Sequence, residues 1–152
     1  MISARLDHDF ASCSRTYATL SIYHDTLDPA LMTKLLKSVP DRSQKSGDII
    51  RPGKRARVSG WFLGTQQLSQ SRDLRFHLEL ILEKISTKKR ELKKLKKMGC
   101  QIWIMCFWES AAGNGGPILD HEVLGRLSEY PIDLHYDIWC DQLPLRKGKK
   151  PA

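Results

Sequence analysis

Asp133, His135 and Asp137 alternate along "IDLHYDIWCD" (132–141), so all three side chains fall on one face of an extended strand. Carboxylate, imidazole and carboxylate form a set that could bind a metal or move a proton. The imidazole titrates near neutrality, and flanking carboxylates can orient it. The spacing argues for a plainer reading. Residues two apart on a strand lie roughly 6.5–7 Å apart, wide for sharing one small cation. A polar outward face on an edge strand accounts for the same alternation. These three residues are the candidates for catalysis, and they are weak ones.

The other histidines carry less. His77 lies beside Phe76 and Leu78 in a helical pattern, His24-Asp25 ends a strand, and His121 falls in a first helical turn. No Ser-His-Asp, Cys-His or paired-Glu arrangement is legible. The four cysteines stand at 13, 100, 106 and 140 without a C-x-x-C pair, three of them in apolar, strand-like runs. Small buried thiols in a reducing compartment explain them, and the short ligand spacing that zinc requires is absent. No metal and no cofactor is implied.

Charge gives a second set of candidates. The net charge of +8 is unevenly placed. The segment 84–97 has eight basic residues and one Glu (+7), 42–57 has six basic and one Asp (+5), and 146–150 gives +4. Such asymmetry points to an anionic partner. In the 42–57 segment, Arg51, Lys54, Arg55 and Arg57 with the nearby Trp61 could grip phosphates and stack a base. The plainer reading is an exposed connection whose Gly and Pro set turns while Trp61 enters the core. It is no phosphate cradle, since its glycines lead into a strand and not a helix. In the 87–97 helix, Lys89, Lys93 and Lys96 or Lys97 share a face, where like charges repel by a few tenths of a kcal/mol per pair. An anionic partner would relieve that; a solvated helix face needs none. The loop "AAGNGGP" could be a lid, though Asn114-Gly115-Gly116 more simply forms a turn.

These residues need elements to position them. "TYATLSIYHD" (16–25) alternates as a half-buried strand. "LDPALMTKLLKSVP" predicts a helix: Asp28 caps it, Pro29 fits the first position, Leu27 and Met32 have staple spacing, and Pro40 stops it. Its apolar stripe is Leu31, Met32, Leu35, Leu36 and Val39. "KSGD" and "RPGK" are turns flanking a short extended piece at Ile49-Ile50. "VSGWFLGT" (58–65) is a strand whose Gly60 and Gly64 suggest a bulge or a close approach. Helices follow over 71–85 and 87–99, with Gly99 as a left-handed cap. "CQIWIMCFW" (100–108) is apolar on both faces, so it is a strand covered on both sides or strongly packed on one. In "LDHEVLGRLSEYP", Asp120 caps, Leu119 and Leu124 staple, and Val123, Leu124 and Leu127 pack. Strand 132–141 closes the domain with Ile132, Leu134, Tyr136 and Ile138 facing in.

The fold expected is therefore α/β (α+β): one domain with a mixed four-stranded sheet and four helices packed on it. Two β-α-β units are joined by a helical pair, in the ferredoxin-like neighbourhood. Residues 1–14 are expected as a flexible lead-in, 15–141 as the domain, and 142–152 as a basic flexible tail. A chain of 152 residues suits one domain and can bury roughly 70% of its unfolded surface. No stretch reaches the roughly 18 apolar residues of a membrane span, and "MISARLDHDFASCS" lacks a signal-peptide apolar region, so a cytoplasmic location is expected.

The chain resembles the bacterial domain-of-unknown-function family 4279 over about residues 17–141. The resemblance rests on "YATLSIYHDTLDPALMTKLL", "VPDRSQKSGD", the Trp-containing "GWFLGT", "GNGGPILDHEVLGRL" and "IDLHYDIW". It implies a compact α/β domain with no assigned activity.

The expected function is a small bacterial, non-enzymatic binding protein, for example an immunity-type or defence-associated partner that covers another protein. A homodimer is compatible with this, and a membrane partner is not expected. The first alternative is a nucleic-acid-binding protein using Arg51, Lys54, Arg55, Arg57, Lys89, Lys93, Lys96 and Lys97. The second is an enzyme centred on Asp133, His135 and Asp137. Tyr17, Tyr23, Trp103, Phe107 and Trp139 bear on the choice: if one face of the sheet is uncovered, they form a stacking or docking surface.

Overall fold

The alternation of Ala18, Leu20 and Ile22 against Tyr17, Thr19, Ser21 and Tyr23 is realised as β1 (Cys13–His24), in a computed structural model that describes residues 5–140. β1 is the middle of a five-stranded sheet of order β2-β5-β1-β6-β7. The other four strands are β2 (Arg42–Gln44), β5 (Ser59–Gly64), β6 (Gln101–Ser110) and β7 (Asp133–Trp139). β1 runs antiparallel to both β5 and β6, and β2 antiparallel to β5, whereas β6 and β7 are parallel. The extended piece at Ile49-Ile50 becomes β3 (Ile49–Arg51), which pairs with β4 (Lys54–Arg55) in a separate hairpin. Gly53 turns that hairpin at a φ of 74°.

The helices are α1 (Pro29–Leu36), α2 (Leu74–Lys84), α3 (Lys89–Lys97) and α4 (His121–Leu127). Asp28, Asp73 and Asp120 cap α1, α2 and α4 by accepting from the backbone N–H of Ala30, Arg75 and Val123. Gly99 holds the predicted positive φ, 94°, after α3.

All four helices bury their apolar stripes on one face of the sheet. The core joins Ala18, Leu20 and Ile22 of β1, Trp61 and Leu63 of β5, and Ile102, Ile104 and Cys106 of β6. Met32 and Leu36, Leu74, Leu78, Ile81 and Leu82 of α2 with Ile85 after it, Leu92 and Leu95, and Val123 and Leu127 complete it. No helix packs on the opposite face among the described residues.

The mixed α/β class and the four main strands are as expected, with differences of detail. A fifth strand, β2, borders β5. Both halves have the strand–helix–strand layout, but the first joins antiparallel neighbours, and only β6-α4-β7 is a parallel crossover. That crossover is unsplit, its strands being adjacent, which sets it apart from the split β-α-β of ferredoxin-like sheets. α1 ends at Leu36, where Lys37 takes a left-handed φ of 48°, three residues before Pro40. Val39 therefore leaves the stripe and is 79% exposed, and Leu124 of α4 is also exposed. Gly60 marks no bulge, since the β1·β5 register is unbroken. A Cβ there would stand 2.6 Å from Cζ of Phe62, so the glycine makes room for that ring.

Residues 5–12, expected as a flexible lead-in, are tied to the domain. The Asp7 amide donates to Asp73 Oδ2 (2.7 Å), His8 Nδ1 meets Ser71 Oγ (2.8 Å), and the Arg72 amide donates to the His8 carbonyl (3.0 Å). Arg5 pairs with Glu79, Asp120 and Glu122. The basic tail at 142–152 lies outside the described residues.

Candidate functional site

The open face of the sheet is built by side chains of one parity. From β1 come Arg15, Tyr17, Thr19, Ser21 and Tyr23; from β5, Phe62; from β6, Trp103, Met105 and Phe107. β7 adds Asp133, His135, Asp137 and Trp139, whose register places them beside Trp103, Met105, Phe107 and Glu109. Alternation puts these on one side because successive strand residues point to opposite faces.

The aromatic rings stack on one another across the strands. Tyr17 lies on Phe107 with centroids 4.7 Å apart and planes 12° from parallel. Tyr23 lies on Trp103 (4.6 Å, 25°), and Trp103 in turn on His135 (4.5 Å, 15°). Phe62 meets Tyr23 edge-on. Two guanidinium groups cap the rows, Arg42 over Phe62 at 4.2 Å and Arg15 over Phe107 at 4.9 Å. Burial pushes the Tyr23 phenol above its ordinary pKa, against a smaller opposing pull from Arg42. Phe62 and Phe107 are buried although no layer covers them, because neighbouring rings and guanidinium groups close over them.

The three catalytic candidates lie on this face but do not converge. His135 is engaged with the Trp103 ring, and Asp137 accepts from Trp139 Nε1 at 3.0 Å. No hydrogen bond joins His135 to either carboxylate, and no group of His, Cys, Asp and Glu suited to a metal occurs among the described residues. All three are exposed on the outermost strand.

The basic candidates lie elsewhere. Arg51, Lys54, Arg55 and Arg57 are exposed on and beside the β3–β4 hairpin, where Arg55 donates to the Gly47 carbonyl at 2.9 Å. Trp61 points the other way: it is 1% exposed, and its Nε1 donates to Thr33 Oγ1 at 3.0 Å. It offers no stacking face to accompany those cations. Lys93, Lys96 and Lys97 are exposed on α3, and Lys89 pairs with Glu129 at 3.1 Å. α3 belongs to the helical layer, on the side of the sheet away from the aromatic face. Lys34, Lys37, Arg90 and Lys94 line the α1–α3 groove with Glu91, and Asp28, Asp41 and Asp48 line the α1–β2 depression beside Arg42 and Lys45.

The sequence matches the family described as domain of unknown function (DUF4279) over residues 14–141. The chain belongs to that family. No curated protein and no solved structure matches it. Within this DUF4279 chain, the thiols fit burial rather than reactivity at three positions. Cys13, Cys100 and Cys106 are buried, and burial pushes the Cys106 thiol up to about 12. Cys140, expected among them, is exposed beyond the end of β7. His77 is fully buried: its Nε2–H donates to the Ser71 carbonyl (2.8 Å), and Thr65 Oγ1–H donates to Nδ1 (2.7 Å).

Sequence reasoning named five of the face aromatics but missed Phe62, Met105, Arg15 and Arg42. The signal for Phe62 was its parity two residues after Gly60. For the arginines there was none, since their placement over the rings depends on strands far apart in the chain. No helix of the described residues is long and apolar enough to cross a membrane.

Proposed function

We propose that this DUF4279 domain is a non-enzymatic binding module that engages a protein partner through the open aromatic face of its sheet. One observation carries the reading: every helix buries against one face, leaving the other to Tyr17, Tyr23, Phe62, Trp103, Met105 and Phe107. A cluster of aromatic residues and arginines is the composition typical of a protein-docking core. Nucleic acid is disfavoured by the ring geometry. Base stacking needs free ring faces, and here Tyr17, Tyr23, Trp103 and Phe107 are engaged in stacking at 4.5–4.7 Å and two guanidinium groups lie over Phe62 and Phe107, which leaves Trp139 as the exposed ring. α3 lies on the other side of the sheet, and Trp61, the aromatic nearest the basic hairpin in sequence, is buried. Enzymatic use of Asp133, His135 and Asp137 is disfavoured by their separation and exposure. A bacterial, cytoplasmic setting accords with four free cysteines, three of them buried. An immunity-type role, in which the chain covers another protein, is the most specific form of the reading.

The test pairs two titrations of the full chain. Labelled mixed-sequence DNA and RNA at about 50 mM salt, where multi-phosphate contacts are strong, should not bind. A purified partner identified on the immobilised chain should bind at least about tenfold more weakly to Tyr17→Ala and Met105→Lys, as expected for losing docking-core contacts. The same partner should bind Lys89→Ala/Lys93→Ala unchanged. Salt-sensitive nucleic-acid binding that drops in the lysine variant would overturn the reading.

A further inference from the structure

β7 is the outermost strand of the sheet, with β6 on one side and no strand on the other among the described residues. Proteins usually blunt such an edge with proline, lysine, a bulge or a very short strand. The opposite edge follows that rule, for β2 has three residues. β7 has only the charges of Asp133 and Asp137 for this: it is seven residues long, "DLHYDIW", without proline, lysine or glycine, and its register with β6 is unbroken. It is also apolar on the outside, with Tyr136 43%, Ile138 49% and Trp139 58% exposed.

The sequence of β7 is complementary to itself. Two copies of one strand paired antiparallel are related by a two-fold axis normal to the sheet, and that axis must pass at the level of a residue, so that residues of one face meet the same face. One register alone pairs the whole of 133–139, the one centred on Tyr136. It sets His135 opposite Asp137 twice, Leu134 opposite Ile138 twice, and Asp133 opposite Trp139 twice. Every apolar residue of the helix side meets an apolar residue, and each Asp meets an imidazole or an indole. Moving the axis to His135 or to Asp137 brings Asp opposite Asp, which costs stability. We infer that a second copy of this chain adds to the β7 edge in the Tyr136-centred register, forming a ten-stranded sheet. The two open aromatic faces then lie on the same side of that sheet. This inference does not rest on the partner reading above, because it uses β7 residues and not Tyr17 or Met105.

The experiment is sedimentation equilibrium on the full chain from about 1 to about 100 µM, the range of moderate self-affinity. The expected result is reversible approach to twice the monomer mass. His135→Asp places two carboxylates opposite each other in both symmetric pairs, and Tyr136→Lys places two ammonium groups on the axis. Each should weaken the dimer roughly tenfold or more, from the sum of like-charge cross-strand terms. His135→Asp/Asp137→Lys should restore it, because the introduced charges again have opposite sign. That rescue separates a register effect from a folding defect. A monomer across the whole range overturns the inference, as does a dimer that ignores both single variants or one that the double variant fails to restore.

Discussion

His77 illustrates how a residue of catalytic type can be fixed for structure. The Ser71 carbonyl can only accept, so the Nε2 proton is held there, and the Thr65 hydroxyl then satisfies Nδ1 while accepting from the Ala18 amide. Burial lowers the pKa of His77 below its ordinary 6.5. The unfolded chain therefore binds a proton that the folded chain resists. This contribution is intact above pH 6.5 and lost as pH falls below that value. Urea midpoints should be level above neutrality and decline as pH falls below 6.5. In His77→Gln, less stable at neutral pH, that decline should largely disappear. A flat wild-type profile over the same window would contradict the account. Asp73 and Asp120 do not confuse the window. Burial works against both, yet Arg75 and backbone amides hold them below the ordinary carboxylate value, so their contributions fade only as pH falls toward 3.8 and lower. The ion cluster they form with Arg5, Arg75, Glu79 and Glu122 was invisible in the sequence, because every pair in it except Asp73–Arg75 lies 45 to 117 residues apart.

At the scale of elements, legibility followed locality. α1 was readable because Asp28, Pro29 and Leu27–Met32 act within two turns, and β1 because its alternation is unbroken. β2 was not, because "RSQ" has no apolar alternation. It is extended by pairing with β5, helped by the Asp41 carboxylate accepting from the Gly64 amide at 2.6 Å. β6 could not reveal which face was covered, since Trp103 and Phe107 are as apolar as Ile102 and Ile104. Cross-strand stacking does on the open face what helices do on the other. Gly60 of β5 tests this directly. Gly60→Ala drives a methyl into the Phe62 ring, which is held between Tyr23 and Arg42. The expected cost is about 1–3 kcal/mol in urea unfolding, as for overpacking. Gly60→Ala/Phe62→Leu should recover part of it, and a single variant of wild-type stability would show that the ring is not held.

The whole molecule is a two-layer structure with one layer of helices and one bare, ring-covered sheet face. Much of its positive charge is carried on the β3–β4 hairpin and on α3. The candidates read from charge and from the β7 alternation fell on separate surfaces, while the aromatic residues converged. Only the sheet register could bring them together. The central claim is that this face meets a protein. It is tested most directly by placing a photo-reactive phenylalanine analogue at position 17, 105 or 93 of the full chain and irradiating cells that express it. Discrete protein adducts should form at 17 and 105, with none at 93. Adducts confined to 93, or nucleic acid cross-linked there, would contradict the claim.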